Sequence, residues 1–247
     1  MTFLDECMEF ASDAWSAFEH HPWIDALFDN QLDEDRFEYW LAQDLPYLGQ
    51  HITEVAYPKV PPGNPLVELE QEYSRRSDDG RVELKLLEKV GPFGSSRWAA
   101  RPRRDAFLNF WVRTIHEGSF GDICAALYVC YSFDKTFGER YEKEKPTDLP
   151  GLQNEWLQQW VDPFYVKLRL ATEQGLNEAG AHSTPYQQDT MKWLFLRGIQ
   201  YQIGTFDAAW ELSDPWPGES GPQSVMSNVP DGLSNSCLLY TSDAADE

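Results

Sequence analysis

Three stretches of this 247-residue chain place apolar residues at steps of three and four, and few stretches alternate apolar with polar. A period near 3.6 belongs to a helix with one buried face, whereas a half-buried strand has a period of two. Phe37, Trp40, Leu41, Leu48 and Ile52 form the first stripe. Phe120, Ile123, Leu127, Cys130, Asp134 and Phe137 form the second, and Leu196, Ile199, Ile203, Asp207 and Trp210 the third. With ten Trp to fill a core and enough length for one domain, the pattern predicts an all-α, multi-helix bundle. Helices are expected at about 3–19, 32–57, 65–77, 80–90, 103–117, 120–143, 152–175 and 184–212, with Pro163 kinking the seventh. The Pro-rich run 58–65 reads as a rigid turn and 91–104 as a loop.

Each stripe carries a residue that is costly in an apolar core. Asp44 falls in the register of the first, Cys130 in the second with Asp134 one turn further on, and Asp207 in the third. A lone buried carboxylate is strongly unfavourable unless it is paired, hydrogen-bonded or neutralised, so acids beside a thiol point to a ligand pocket. The plainer alternatives are an Asp at the edge of its stripe that reaches water, and a Cys that serves as a small core hydrophobe, the commoner fate of a buried thiol.

The blocks HPWIDALFDNQL, FEYWLAQDLPYL, GSFGDICAALYVCYSFDKTFGERY and FDAAWELSDPW resemble the TenA family, the thiaminase II group of thiamin-salvage proteins, from Phe3 to about Trp216. The resemblance implies a heme-oxygenase-like helical bundle. It puts Asp44 on the acid that binds the exocyclic amino group of an aminopyrimidine, Tyr47 on an aromatic packed against the ring, Cys130 on the nucleophile, and Asp207 on the acid that protonates a ring nitrogen. Phe107, Asp134 and Phe164 stand at substrate-binding positions where the better-known members carry Tyr, so three phenolic hydroxyls are missing.

Such residue types suit one chemistry. Cleaving the bond between a pyrimidine's CH2 and its amine requires dearomatisation: a thiolate adds to the ring, an acid protonates the ring nitrogen, and the amine departs. Water then adds and the thiolate leaves. A thiol near its reference pKa of about 8.5 is mostly protonated at neutral pH, so something nearby must favour the thiolate. Two carboxylates beside it would oppose that, and at least one of Asp44, Asp134 and Asp207 is expected to share a proton or bind the ligand's amino group.

A formal net charge of −21 argues against nucleic acid and anionic membranes as partners. The basic cluster Arg97, Arg101, Arg103 and Arg104 is expected to pair with nearby acids. No segment is apolar enough to span a bilayer, and MTFLDECMEF opens a helix rather than a signal peptide, so a soluble, cytoplasmic protein is expected. Four irregularly spaced Cys fit free thiols rather than a zinc or disulfide framework. The resemblance also implies no cofactor, a small-molecule aminopyrimidine substrate and a homo-oligomer, commonly a tetramer.

Three rival functions arise from the same residues. Asp44 and His51 have the spacing of a carboxylate–His pair of a di-iron site, but the last helix offers no His to complete it, so no metal is expected. A cofactorless quinone oxidase of the PqqC type would need a His- and Arg-lined anionic pocket that acidic stripes do not supply. A pyrimidine-binding or regulatory protein that kept the pocket and lost turnover is the non-enzymatic alternative. The domain is expected to span 1–217. Residues 218–236 read as a disordered tail, and 237–247, including Cys237, as translated adapter sequence.

Overall fold

In a computed structural model, described for residues 1–47, 54–77 and 96–219 together with Lys85, Gly91 and Gly94, the chain is all-helical, with no strand among the described residues. The helices are α1 (Phe3–Phe10), α2 (Ser12–Glu19), α3 (Pro22–Phe28), α4 (Glu34–Asp44), α5 (Leu66–Ser77), α6 (Pro102–Glu117), α7 (Phe120–Tyr131), α8 (Arg140–Glu144), α9 (Gly151–Gln159), α10 (Pro163–His182) and α11 (Pro185–Glu211). A π-helical stretch, Asp134–Glu139, joins α7 to α8. The expected helix 80–90, the end of 32–57 with His51, and the tail beyond 219 lie outside the described residues.

Local chemistry explains where the helices begin. Thr2, Ser119 and Thr184 each close a capping box, with Asp5, Asp122 and Gln187 three residues on, which satisfies backbone N–H groups that the first turn leaves unpaired. Pro at the start of a helix costs no hydrogen bond, and this corrects two expectations. Pro163 does not kink a helix over 152–175; it opens α10, with Asp162 accepting from the Phe164 N–H at 2.8 Å, while α9 has already ended at Gln159. Pro22 likewise opens α3, a helix the periodicity did not reveal. The expected helix 3–19 is divided at Ala11.

The centre of the bundle is the pair α7 and α11, with α10 and α6 packed on α7, and α1, α2, α3, α4 and α6 packed on α11. An aromatic cluster fills the space beside them. The Trp40 and Phe206 rings stack at 5.2 Å, the Trp23 ring lies 4.8 Å from Phe206, and Trp156 meets Trp40 at 5.0 Å and Phe137 at 4.8 Å. α7 is buried nearly all round, as a central helix must be.

Two glycines admit the backbone of a neighbouring element. A Cβ at Gly138, in the π-helical stretch, would lie 2.5 Å from the Trp160 carbonyl oxygen, and one at Gly198 would lie 2.7 Å from the Ala126 carbonyl oxygen. Gly198 therefore sets the separation of α7 and α11. One turn further along each helix stand Cys130 and Gln202, so the same approach brings those two side chains together. Gly198→Ala is expected to lower stability by about 1–3 kcal/mol in chemical denaturation, because backbone rather than a flexible side chain must yield. An unchanged midpoint would show that the helices can separate without cost.

Candidate active site

Asp44 ends α4, and the chain turns through Leu45 and Pro46 to Tyr47. The last carbonyls of a helix lack intrahelical donors. Arg104, in the first turn of α6, supplies them: its Nη2 donates to the Asp44 carbonyl at 3.3 Å and the Pro46 carbonyl at 3.0 Å, and its Nε to Pro46 at 3.2 Å. The same Nη2 lies 3.3 Å from Asp44 Oδ1. Arg104 is 3% exposed, and its guanidinium sits 5.3 Å from the Trp111 ring, with the Tyr47 and Phe107 rings nearby. A charge so buried needs a counter-charge, and here it is the carboxylate that the first stripe singles out.

Cys130 lies one residue before the end of α7 and is half-buried. Its Sγ donates to Gln202 Oε1 at 3.4 Å. Burial pushes its thiol well above the usual range; Arg104 pulls the other way and Asp44 adds to the burial. Gln202, 1% exposed, is held in turn by its Nε2 donating to Thr205 Oγ1 at 3.0 Å. Tyr47, packed edge-on against Trp111 at 5.5 Å, is raised by burial and by the neighbouring Cys130, Tyr73 and Glu70. Phe107 is fully buried, 3.9 Å from Trp111 and stacked on Tyr201. Asp44, Tyr47, Phe107 and Cys130 thus gather around Arg104. Phe164, also expected there, is stacked on Tyr73 at 6.3 Å.

Two expected members are elsewhere. Asp207 does not point into this core: its side chain is 47% exposed, and its Oδ1 lies 3.2 Å from His21 Nε2. His21 Nδ1 accepts the Trp23 N–H, so in the neutral ring Nε2 carries the proton and donates to Asp207. Burial lowers the His21 pKa, with Asp207 opposing. The physical reason is helical phase. The buried face of α11 runs Met191, Phe195, Gly198, Ile199, Gln202, Thr205, Phe206 and Ala209, which turns the stripe expected through Ile203, Asp207 and Trp210 toward the edge. Five residues after Gln202, Asp207 is rotated by about 140° from it.

Asp134 is buried but held by Arg169 rather than turned to Cys130: α7 ends at Tyr131, and Ser132, with φ −103° and ψ 14°, interrupts the helix between the two. Both its oxygens accept from Arg169 Nε, at 3.1 and 2.9 Å. Arg169 also donates to Glu173 at 2.8 Å, and Glu173 accepts from Tyr128 at 2.9 Å.

The sequence stripes missed Glu70 and Gln202. Glu70 is 8% exposed and accepts from the Tyr131 hydroxyl; burial raises its pKa to about 7, against the hydrogen bond from Tyr131. Its signal was present in Leu66, Leu69, Glu70 and Tyr73, an apolar register with one acid in it. Of the basic cluster, Arg101 pairs with Glu219, Arg103 with Glu211 and Arg104 with Asp44. Among the described residues no group of three or more His, Cys, Asp or Glu is placed to hold a metal ion, and no helix is long and apolar enough to cross a membrane.

Arg104→Met retains the stem and removes every donor. It is expected to lower stability by about 3 kcal/mol, since the half-buried Asp44 carboxylate and the carbonyls of Asp44 and Pro46 each lose a partner. It should also move alkylation of Cys130 to higher pH, because the one cation that favours the thiolate is gone. Unchanged alkylation would separate Arg104 from the thiol.

No protein-family profile matches the chain. It is 28% identical over 147 residues to the aminopyrimidine aminohydrolase of Bacillus subtilis, covering 57% of this chain and 61% of that protein. It is 24% identical over 212 residues to the thiamine biosynthesis protein THI22 of Saccharomyces cerevisiae, covering 80% of this chain but only 36% of that protein. The aminopyrimidine aminohydrolase of Halalkalibacterium halodurans is 21% identical over 85% of this chain and 96% of its own length. Among solved structures, the TenA homologue from P. horikoshii superposes with a TM-score of 0.69 at 19% identity, over 85% of this chain and 99% of that one. A TenA homologue from Pyrococcus furiosus gives 0.64 at 16%, over 84% and 99%. In fold this chain is of the TenA/thiaminase II type, and in sequence it is similar to aminopyrimidine aminohydrolases.

Proposed function

We propose that the protein is a cysteine-dependent hydrolase of the thiamin-salvage type, cleaving the C–N bond at the aminomethyl group of a 4-aminopyrimidine. The observation that carries this is the meeting of Cys130, Asp44, Tyr47 and Arg104 at the end of α4 and α7. Similarity to aminopyrimidine aminohydrolases supports the substrate class.

In this reading Asp44, oriented by Arg104, accepts a hydrogen bond from the exocyclic amino group. The Cys130 thiolate adds to a ring carbon, forming the C–S bond and placing an electron pair on the ring nitrogen, which takes a proton. The amine leaves with the electrons of the C–N bond and gains a proton. Water adds its oxygen to the exocyclic carbon and releases a proton; the ring nitrogen then gives up the proton it took, the thiolate is expelled and the ring regains aromaticity. No cofactor enters this scheme. A cytoplasmic location and assembly into a homo-oligomer, a tetramer by the family resemblance, belong to the same reading.

A second reading, a pyrimidine-binding or regulatory protein without turnover, is favoured by one observation: the residue bonded to Cys130 is the amide Gln202, while Asp207 of the same helix faces His21.

Incubating the protein with 2-methyl-4-amino-5-aminomethylpyrimidine and with thiamin, and following products by chromatography, separates the two. Turnover is expected, and Cys130→Ser should abolish it while leaving helical content intact; near-normal turnover by the variant would make Cys130 structural. Binding without turnover by the wild type would establish the second reading.

Asp44→Asn should weaken 4-aminopyrimidine binding by about tenfold or more, the equivalent of one charge-assisted hydrogen bond, and weaken a 4-oxo analogue much less. Calorimetry on the pair checks this. Equal losses would mean that Asp44 serves the fold rather than the amine.

A further inference from the structure

The scheme above needs a proton donor for the departing amine. Of the three acids that the sequence singles out, Asp44 is bound to Arg104, Asp134 is held by both oxygens on Arg169, and Asp207 is turned to His21. Gln202, the polar residue on the thiol, is an amide and has no acidic proton to give. One buried acid remains unassigned. Glu70, on α5, faces the hydroxyl of Tyr131 from α7, and it lines a small cavity of about 30 Å³ with Leu66, Ile115, Ile123, Leu127 and Tyr131, room for a single water-sized guest. No cation pairs with it among the described residues. The titratable groups facing it are the phenols of Tyr131, of Tyr47 at the end of α4 and of Tyr73 on its own helix, with Tyr57 at the cavity wall. The Tyr47 phenol lies near enough to both the Glu70 carboxyl and the Cys130 thiol for each to raise its pKa.

We propose that Glu70 is the proton-holding residue of the site, supplying through the Tyr131 and Tyr47 phenols the proton that the departing amine acquires. The carboxyl gives its proton to a phenol oxygen as that phenol passes its own onward, the amine leaves protonated, and the carboxylate is reprotonated by the water whose oxygen ends on the exocyclic carbon. Net charge and protons return to the starting state after each turnover. Because Glu70 acts through the phenols, it is a positioning and proton-holding residue rather than one that touches substrate.

The sign of its pH dependence follows from burial. A folded-state pKa of about 7 against an ordinary 4.5 keeps Glu70 protonated at and below neutrality. Donation therefore fails as pH rises through about 7. Over the same interval stability also falls, since the folded state binds more protons than the unfolded one between the two values.

The inference rests on the hydrolase reading, and the test is arranged so that the two fail differently. Turnover of 2-methyl-4-amino-5-aminomethylpyrimidine is measured across pH for the wild type, Glu70→Gln and Glu70→Asp, with thermal unfolding of each at pH 5 and pH 8.5. Glu70→Gln keeps the shape and an oxygen that accepts from Tyr131 but holds no exchangeable acid proton. It should lose at least tenfold in kcat with KM changed less than about threefold, and lose the alkaline limb near pH 7. Glu70→Asp should restore part of kcat together with that limb. Glu70→Gln should also lose less stability than the wild type between pH 5 and pH 8.5, showing that the variant folds and that Glu70 titrates. A variant with wild-type kcat and an unchanged alkaline limb overturns the proposal while leaving the hydrolase reading intact. Absence of turnover in the wild type overturns the hydrolase reading, and this donor role with it.

Discussion

The buried Arg104 guanidinium is the interaction on which the site depends. A helix that stops in the interior leaves carbonyls without donors, and α4 stops there, at the residue whose carboxylate also needs a counter-charge. Arg104 answers both needs from the first turn of α6, and its aromatic surround excludes water on the remaining side. Tyr47 is placed beside Cys130 as a result. Replacing this one side chain with anything that cannot donate several bonds at fixed angles would weaken the α4 end, the pairing of Asp44 and the thiol's electrostatic balance together, which is why Lys is not an equivalent here.

The acids of this chain show three ways of enduring burial. Asp134 is paired with Arg169 inside a network that runs to Glu173 and Tyr128, a structural solution that links α7's extension to α10. Asp207 avoids the problem by sitting at the edge of α11 with His21. Among the described residues Glu70 has a phenol and no cation as its partner, so its neutral form is favoured. The thiol of Cys130 is under the same pressure, and only Arg104 opposes it. A bound hydrogen-bond-donating ligand beside the thiol would relieve it, and would so couple substrate binding to activation of the nucleophile.

The helical class and the burial of Phe37, Trp40, Leu41, Phe120, Ile123, Leu127 and Phe137 were legible because large apolar side chains mark a helix face without ambiguity. The phase of α11 was not. Its inner face carries Gly198, Gln202 and Thr205, residues that look exposed in a sequence but are buried because close contact with α7 demands small or hydrogen-bonded groups. Ile203 and Trp210, at the edge, supplied a false stripe and drew Asp207 into it. Asp134 was misplaced for a different reason: the helix is interrupted at Ser132, between Cys130 and Asp134, and the buried Arg169 that takes the carboxylate comes from a distant helix. Pro163 was read as a kink rather than a start: the preceding helix had already ended at Gln159, and the Asp before the proline was the deciding signal.

The central claim is that Cys130 attacks the ring within this arrangement. The most direct measurement is acid quenching during turnover of 2-methyl-4-amino-5-aminomethylpyrimidine, followed by proteolysis and mass spectrometry of the peptide that contains Cys130. The account predicts a pyrimidine adduct on Cys130 that disappears when substrate is exhausted. Steady turnover with Cys130 unmodified at every quench time, or an adduct on a different residue, would contradict it.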